Sequence, residues 1–423
     1  MKKLKNLEVI KFTMPNIFVI LDGAAGRTDE IDNKSCYEAA SLPNLDYFAK
    51  QGKCGLSYTV GKGIAPESDV AVVSLLGYDA YKHFTGRGPL EAYGAGVNLP
   101  QDFVAFRTNF ATVYGNTIVD RRVGRTLTTK ESKKLEKVIN SKVKLPCNFV
   151  YKSTVGHRGV LVLYGKLGSD LTNADPAYEI KGKFGVAKSK GKMELQDVKA
   201  LNKKSQKTAL ILNDFIYQSF KVLSNNKLNL ERKSRKLLPA NIILPRDAGN
   251  RLPKFSPKKS WAAIVSMPLE KGIAELCGMH VYSFKYPEYK SGNIYSYLEK
   301  GLKKTIKSSK FYLKKHWGKY DNFYVHFKET DIPGHDGNPQ EKIKMLELID
   351  KHFFSWLRKR SNFRLLVVSD HATPTTLRSH SSDPVPFLLY GNGKDKVSSF
   401  SEKACSKGSL GIKIGNSLIK LLN

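Results

Sequence analysis

The chain has 423 residues, and its 70 lysine and arginine side chains exceed its 38 aspartate and glutamate side chains by +32. It is too long for one ordinary compact domain and suits two. The charge favours an anionic partner, and net charge alone does not choose among nucleic acid, acidic lipid and small phosphorylated metabolites. Because no apolar run approaches about twenty residues, the composition excludes a membrane-spanning helix.

The five cysteines stand far apart in the sequence, so neither a disulfide framework nor a thiolate metal site is indicated. This usage fits a reducing cytoplasm, where we expect the protein to reside. The basic segment at the start of the chain lacks the long apolar stretch and cleavage pattern of a signal peptide. We therefore expect Met1–Thr13 to be an extension, with Met14 as an alternative start.

The first predicted strand is Ile17–Leu21, and it leads directly into Asp22. Helical spacing follows at Asn44–Gln51. Ser68 then lies in a turn that precedes the apolar stretch Val70–Leu76. A serine in this place is either a helix cap or a nucleophile, since a helix N-terminus supplies N–H groups to an arriving phosphate.

The middle of the chain has shorter, turn-rich segments and predicts a smaller α/β domain inserted into the core. We place this domain at residues 83–255 and the core at residues 1–82 and 256–423. The insertion contains a helical stretch, Ser205–Leu223, and a candidate strand, Asn241–Leu244. Hinges are expected near Tyr81 and Phe255, with closure when substrate binds.

Two further strands in the last third end in polar residues. Phe323–Phe327 precedes Asp331 and His335, and Pro333 and Gly334 between these two predict a tight turn rather than a helix. A helical stretch follows at Glu341–Phe354. Leu365–Val368 leads into Asp370 and His371, and His380 lies ten residues beyond Asp370.

Strands that alternate with helices predict an open, doubly wound α/β sheet, in which ligands collect beyond the carboxyl ends of the strands. Polar residues that follow three such strands should therefore meet, although the two ends of the chain supply them. Mixed carboxylate and imidazole ligands suit divalent ions, and seven candidates are too many for one tetrahedral site. We therefore predict a two-metal centre made of Asp22, Ser68, Asp331, His335, Asp370, His371 and His380.

An ordered set of motifs resembles the signature of archaeal-type cofactor-independent phosphoglycerate mutases, in the alkaline phosphatase superfamily. The resemblance covers nearly the whole chain. It rests on Asp22-Gly23, Pro43-Asn44-Leu45-Asp46, Ser68-Asp69, Leu75-Leu76-Gly77-Tyr78-Asp79, Thr85-Gly86-Arg87-Gly88-Pro89, Asp120-Arg121-Arg122-Val123-Gly124-Arg125, Thr330-Asp331, Gly334-His335-Asp336-Gly337 and Asp370-His371.

The resemblance implies an isomerase that interconverts 2- and 3-phosphoglycerate through a phosphoserine at Ser68, without bisphosphoglycerate. It implies that Asp331, His335 and His380 hold one ion. The other ion would be held by Asp22, Ser68, Asp370 and His371. Mn²⁺ is the favoured ion, with Zn²⁺, Co²⁺ and Mg²⁺ as alternatives, and the expected partner is a small phosphorylated metabolite.

The resemblance also implies that Asp120 is the acid–base group and that Arg121 clamps the substrate. The alternative is that Asp120 and Arg121 have no catalytic role and belong to an exposed turn with surface ion pairs. Arg125 belongs to the same motif without a definite role. Further candidates for the clamp, each of which could instead be surface charge, are Arg87, His157, Arg158, Arg246 and Lys271.

Two positions depart from the family pattern. Glu67 stands where a small residue is common, and Val72 stands where a histidine is common. A carboxylate beside an incoming phosphate is repulsive unless it points away or pairs with a cation. One rival reading is another phosphotransferase or phosphatase of the superfamily, such as a phosphopentomutase-like or homoserine-kinase-like enzyme. A nucleic-acid-binding protein with a relic core is not favoured, because none of the seven ligands is missing.

Overall fold

The structure is a computed structural model that describes residues 14–181, 184–187, 193–288 and 293–422. The predicted extension Met1–Thr13 lies outside the described residues. Fifteen strands are described, which are β1 (Asn16–Leu21), β2 (Gly52–Tyr58), β3 (Phe103–Tyr114), β4 (Thr117–Asp120), β5 (Phe149–Ser153), β6 (Arg158–Tyr164), β7 (Tyr178–Lys181), β8 (Phe184–Ala187), β9 (Ile242–Gly249), β10 (Trp261–Ile264), β11 (His280–Tyr282), β12 (Asn322–Phe327), β13 (Arg364–Ser369), β14 (Val385–Tyr390) and β15 (Ile412–Ile414).

Helices lie between most of these strands. They are α1 (Cys36–Ala39), α2 (Pro43–Lys50), α3 (Ser68–Leu75), α4 (Ala80–His83), α5 (Arg87–Gly94), α6 (Thr129–Lys142), α7 (Gln206–Ser224), α8 (Lys227–Ser234), α9 (Pro268–Leu276), α10 (Ile294–His316), α11 (Asp331–Asp336), α12 (Pro339–Ile349), α13 (Ser355–Arg358), α14 (Glu402–Cys405) and α15 (Gly415–Leu418). A π-helical turn, Asp350–Phe354, continues α12. Within the described ranges, no helix is long and apolar enough to cross a bilayer.

The larger sheet has eight strands in the order β11-β10-β12-β1-β13-β14-β2-β15. Strands β10, β11, β12, β1 and β13 pair in parallel, and β14 runs antiparallel to both of its neighbours. All but the first residues of β1, β12 and β13 are buried, which explains their continuous apolar runs. The ends of the chain therefore meet as the sequence predicts, and the α/β fold is confirmed.

The smaller sheet is built around the long strand β3. Strands β6 and β9 pair with β3 along most of its length, β4 pairs with its last residues, and β5 pairs with β6. Leu135 and Ile139 of α6 and Phe215 of α7 belong to its buried apolar core. The predicted helix Ser205–Leu223 corresponds to α7, and the predicted strand Asn241–Leu244 lies mostly within β9. The division at residues 83 and 255 stays a prediction.

The two sheets are joined through a close contact between α5 and α9. A Cβ atom added to Gly94 would lie 1.8 Å from the carbonyl oxygen of Pro268, and one added to Gly272 would lie 2.3 Å from that of Leu90. Only glycine permits this backbone approach. Helix α5 also contacts β3 and β9, so it links the smaller sheet to the larger one.

Lys342 of α12 ties together the loops that follow β1 and β13. Its side chain is fully buried, and its Nζ donates hydrogen bonds to the carbonyl oxygens of Ala25 (3.0 Å) and Thr373 (2.9 Å). The carboxylate of Glu30 lies 3.6 Å away. These bonds fix the backbone next to two strand ends that carry candidate site residues.

We predict that Lys342→Met lowers the free energy of unfolding by about 3–5 kcal/mol, because it leaves a buried carboxylate and two carbonyl groups without their cation. Differential scanning calorimetry would measure the loss. Lys344→Met is the control, because Lys344 lies on the same helix with 46% of its side chain exposed. Equal losses in the two variants would contradict this role.

Candidate active site

Three strands of the larger sheet end at one level and place polar side chains side by side. The register aligns Leu21 of β1 with Phe327 of β12 and with Ser369 of β13. The next residues along the chain are Asp22, Lys328 and Asp370. Their side chains meet at the carboxyl edge of the sheet, where the Nζ of Lys328 contacts Oδ2 of Asp22. Asp22 and Asp370 are fully buried.

The tight turn expected between Asp331 and His335 is wrong, because these residues lie in the short helix α11. Pro333 is compatible with this helix since it occupies the first turn, where its missing N–H has no intrahelical partner. Residues four apart share one helical face. Accordingly, Nε2 of His335 lies 3.5 Å from Oδ2 of Asp331.

Ser68 is the first residue of α3, and the capping position belongs to Glu67, whose side chain makes no capping hydrogen bond. The interpretation of Ser68 as a helix cap is therefore not supported. Its Oγ instead lies 3.3 Å from Nε2 of His371, and its side chain is buried. The hydroxyl thus points at the predicted metal-ligand cluster from the N-terminal end of a helix.

The structure brings all seven predicted ligands together. The ring of His380 stacks on that of His371 with centroids 3.7 Å apart and lies 5.0 Å from that of His335. Three sets of side chains each offer donor atoms within 4.8 Å of one another, namely Asp331, His335 and His380, then Asp22, Asp331 and His371, then Asp22, His326 and Asp370. His326 was not predicted; it lies inside β12 and its Nε2 is 3.2 Å from Oδ2 of Asp22.

Burial and neighbouring charges shift the pKa values of the two buried aspartates in opposite directions. Burial acts to raise the pKa of Asp22, but Lys328, His326 and His371 outweigh it and lower that pKa well below its usual value. Burial and the Asp22 carboxylate raise the pKa of Asp370. A buried carboxylate that disfavours the ionisation of the carboxyl group beside it forms an environment that a divalent cation stabilises.

Two oxygen atoms of the cluster fit this requirement for a cation. Within the part of the chain that is described, Oδ1 of Asp22 and Oδ2 of Asp370 are buried and make no hydrogen bond of good geometry. Nε2 of His371 lies 3.3 Å from the first and 3.5 Å from the second. Buried carboxylate oxygens are normally satisfied by hydrogen bonds or by a metal. The oxygen and imidazole donors suit a borderline divalent ion. The residues therefore fit divalent metal binding.

A cavity of about 170 Å³ lies next to this cluster and is lined by basic side chains of the smaller sheet. Ser68, Asp331, His335 and His380 line it on the cluster side. The basic residues that line it are Arg87, Arg107, Arg122, Arg125, His157, Arg158, Arg246 and Lys328. A small ligand in this cavity touches candidate metal ligands on one side and guanidinium groups on the other.

Glutamates also line the cavity, and they do not offset the repulsion at every guanidinium group. Burial and the neighbouring Arg246 and Arg87 lower the pKa of Arg107 to about 9. Burial and Arg158 lower the pKa of His157 well below its usual value. Repulsion among buried cations is relieved by an anion, and arginine matches phosphate and carboxylate oxygens in pairs. The cavity is therefore suited to a ligand with more than one anionic group.

Four of the five predicted clamp residues line this cavity, namely Arg87, His157, Arg158 and Arg246. Lys271 does not line it; this side chain pairs with Glu275 at 3.7 Å.

Asp120 and Arg121 line an adjoining cleft rather than the cavity itself. Oδ1 of Asp120 accepts hydrogen bonds from the backbone N–H groups of Arg122 (2.7 Å) and Gly124 (2.8 Å), as in an Asx turn. Arg121 makes two hydrogen bonds of 2.6 Å to the buried carboxylate of Asp175. Their roles in acid–base chemistry and substrate binding stay predictions.

Several cavity residues went unnoticed in the sequence. Arg107 lies within the otherwise largely apolar strand β3. A charged residue in such an apolar run could have indicated a functional residue. Lys328 directly follows β12, as Asp22 and Asp370 follow their strands, so the same reasoning would have found it. Arg122 stood within the quoted arginine-rich motif, where nothing distinguished it from a surface residue.

The fold and the site together define an α/β protein in which carboxylate and imidazole side chains suited to divalent ions face an arginine-lined cavity. Comparison with known proteins gives the family. A sequence model of 2,3-bisphosphoglycerate-independent phosphoglycerate mutase matches residues 49–229. A curated relative of that name from Aeropyrum pernix is 37% identical, over 95% of this chain and 97% of the relative.

Two solved structures are similar over nearly the whole chain. A cofactor-independent phosphoglycerate mutase from Thermoplasma acidophilum is 27% identical with a TM-score of 0.54, over 96% of this chain and 98% of that one. A protein from Pyrococcus horikoshii is 27% identical with a TM-score of 0.73, over 97% and 96%. The chain belongs to the family of 2,3-bisphosphoglycerate-independent phosphoglycerate mutases, and it is an isomerase.

We predict that Arg121→Ala lowers the free energy of unfolding by about 3–5 kcal/mol, because it leaves the buried Asp175 carboxylate without its cation. Urea denaturation would measure the change. The matched control is Arg251→Ala, which removes an exposed arginine and should change stability by less than about 0.5 kcal/mol. Unchanged stability in Arg121→Ala would show that the pair with Asp175 is dispensable.

Proposed function

We propose that this chain interconverts 2-phosphoglycerate and 3-phosphoglycerate through a phosphoserine at Ser68, at a centre of two divalent ions. The family membership supports the reaction. The observation that carries the mechanism is the position of the Ser68 hydroxyl, which lies 3.3 Å from Nε2 of His371 and lines the arginine-rich cavity. The same hydroxyl faces both the candidate metal ligands and the space for a phosphorylated substrate.

The proposed ligands fall into two groups. Asp331, His335 and His380 would hold one ion. Asp22, Ser68, Asp370 and His371 would hold the other. When bound, the ions would lower the pKa of a hydroxyl group and neutralise phosphate oxygens, and Mn²⁺ is the ion we propose.

The residues of the chain divide the work of phosphoryl transfer. Oγ of Ser68 loses its proton and bonds to phosphorus as the bond from phosphorus to the glycerate oxygen breaks. That oxygen takes up one proton, so the step consumes no net proton. Guanidinium groups such as Arg87, Arg158 and Arg246 hold the carboxylate and phosphate while glycerate reorients. The second half reverses these changes at the other hydroxyl of glycerate. Asp120 is the proposed acid–base group.

Asp120 lies in the adjoining cleft, so its proposed role requires the predicted inserted domain to move. The chain crosses between the two sheets twice, and the two connecting segments lie side by side. The rings of Tyr78 and Phe255 are 4.5 Å apart, and Nδ1 of His83 lies 2.8 Å from the carbonyl oxygen of Lys254. We propose that these connecting segments act as hinges and that the division lies near residues 83 and 255.

The five unpaired cysteines and the metabolic substrate support a cytoplasmic location.

We predict that Ser68→Ala abolishes mutase turnover, because the acceptor oxygen for the phosphoryl group is lost. A coupled assay with 3-phosphoglycerate, Mn²⁺ and no bisphosphoglycerate would measure it. Ser74→Ala is the control, since Ser74 is also buried on α3 and does not line the cavity. Turnover retained in Ser68→Ala would exclude the phosphoserine route.

We predict that Asp331→Asn binds one divalent ion fewer than the unmodified protein, because it removes a charged donor from one of the two groups. Calorimetric titration of chelator-treated protein with Mn²⁺ would count the ions. Asp336→Asn should keep both ions, since Asp336 lies on the same helix and pairs with Arg125 at 2.6 Å. Two ions in Asp331→Asn would argue against the proposed ligand set.

A further inference from the structure

Glu67 is a buried carboxylate directly before Ser68, at a place where negative charge should repel an incoming phosphate. Its side chain makes no capping hydrogen bond to α3, so helix capping does not explain it. Two groups contact it. Oε2 lies 3.4 Å from a terminal nitrogen of Arg87, and Oε1 lies 3.5 Å from Nδ1 of His380.

The contact with His380 concerns the nitrogen that faces away from the proposed ion. Nδ1 of His380 is 2.8 Å from the carbonyl oxygen of Pro66, in addition to its contact with Glu67. The other nitrogen, Nε2, faces Oδ1 of Asp331 at 3.7 Å. The carbonyl oxygen of Pro66 accepts the hydrogen of Nδ1, and the Glu67 carboxylate adds negative charge beside it. Both favour the tautomer with its hydrogen on Nδ1, which leaves the lone pair of Nε2 for a metal.

We propose that Glu67 is a positioning residue that, together with the carbonyl oxygen of Pro66, holds the tautomer and ring orientation of His380 and thereby strengthens divalent-ion binding by Asp331, His335 and His380. This inference rests on the proposed function for the location of that ion. A carboxylate behind a metal-binding histidine makes the imidazole a better ligand, and its removal typically weakens metal binding by about 10- to 100-fold.

The arginines of the cavity explain how a carboxylate is tolerated beside the nucleophile. Arg87 contacts the Glu67 carboxylate at 3.4 Å, and Arg246 and Arg107 line the same cavity. Cations around the carboxylate thus balance its charge. The condition stated from the sequence, that this charge must pair with a cation, is met in the structure.

Glu91 provides a matched control for this neutralisation. Its carboxylate is also buried and lies 2.7 Å from Nε of Arg87 and 3.3 Å from Nε of Arg107. Its pKa falls to about 2, because Arg107 and Arg87 outweigh the effect of burial. Of the two carboxylates, Glu67 alone has a described contact with His380. Comparing the two separates an effect on the histidine from an effect on the arginines.

The experiment is a calorimetric titration of the chelator-treated full chain with Zn²⁺, comparing the unmodified protein, Glu67→Gln and Glu91→Gln. We expect Glu67→Gln to bind one of two ions about 10- to 100-fold more weakly, with the other ion unaffected. Glu91→Gln should bind both ions as the unmodified protein does. Glu67→Asp, which keeps the charge, should recover part of the affinity, and circular dichroism would verify folding.

A second readout reports His380 itself. In the zinc-loaded protein, ¹⁵N shifts of the imidazole nitrogens should identify His380 as protonated at Nδ1 and bound through Nε2. Glu67→Gln should change the Nδ1 shift, and Glu91→Gln should leave it unchanged. Unchanged ion affinities in Glu67→Gln, or equal losses in Glu67→Gln and Glu91→Gln, would overturn the proposal. Failure of the unmodified protein to bind two ions would instead overturn the proposed metal centre on which it rests.

Discussion

The site depends on the parallel, in-register pairing of β1 with β12 and β13. Because Leu21, Phe327 and Ser369 lie at one level, the residues that follow them emerge at one point of the sheet edge. Strand pairing thus places Asp22 beside Asp370 in the protein interior, where two carboxyl groups repel each other. Lys328 and the histidines offset part of this repulsion. The pair of carboxyl groups is also a favourable site for a divalent cation.

The second half of the site has the opposite charge and comes from a different sheet. Arginines on and around β3, β6 and β9 line the cavity beside the carboxylate and imidazole cluster. Arg107 shows the electrostatic cost, since burial and neighbouring guanidinium groups lower its pKa to about 9. A ligand with anionic groups relieves the repulsion on the arginine side, as a cation relieves it on the carboxylate side.

The sequence predicted the α/β fold and the meeting of the seven ligand candidates, because buried parallel strands give continuous apolar runs that end in polar residues. It failed at α11, where Pro333 and Gly334 favoured a turn, although proline is tolerated in the first turn of a helix. For Asp120 the sequence left two interpretations open, an acid–base group and a residue of an exposed turn, and its contacts with backbone N–H groups are those of a turn. From the sequence, Glu67 was only a departure from the family pattern. Its contacts with Arg87 and His380 could not be predicted, because these residues are distant in sequence.

We infer that the aligned strand ends and α11 build a centre for two divalent ions around Ser68. Anomalous diffraction at the manganese absorption edge, from crystals grown with Mn²⁺, would locate these ions. We expect two peaks, one among Asp331, His335 and His380 and one among Asp22, Ser68, Asp370 and His371. A single peak, or peaks remote from Ser68, would contradict it.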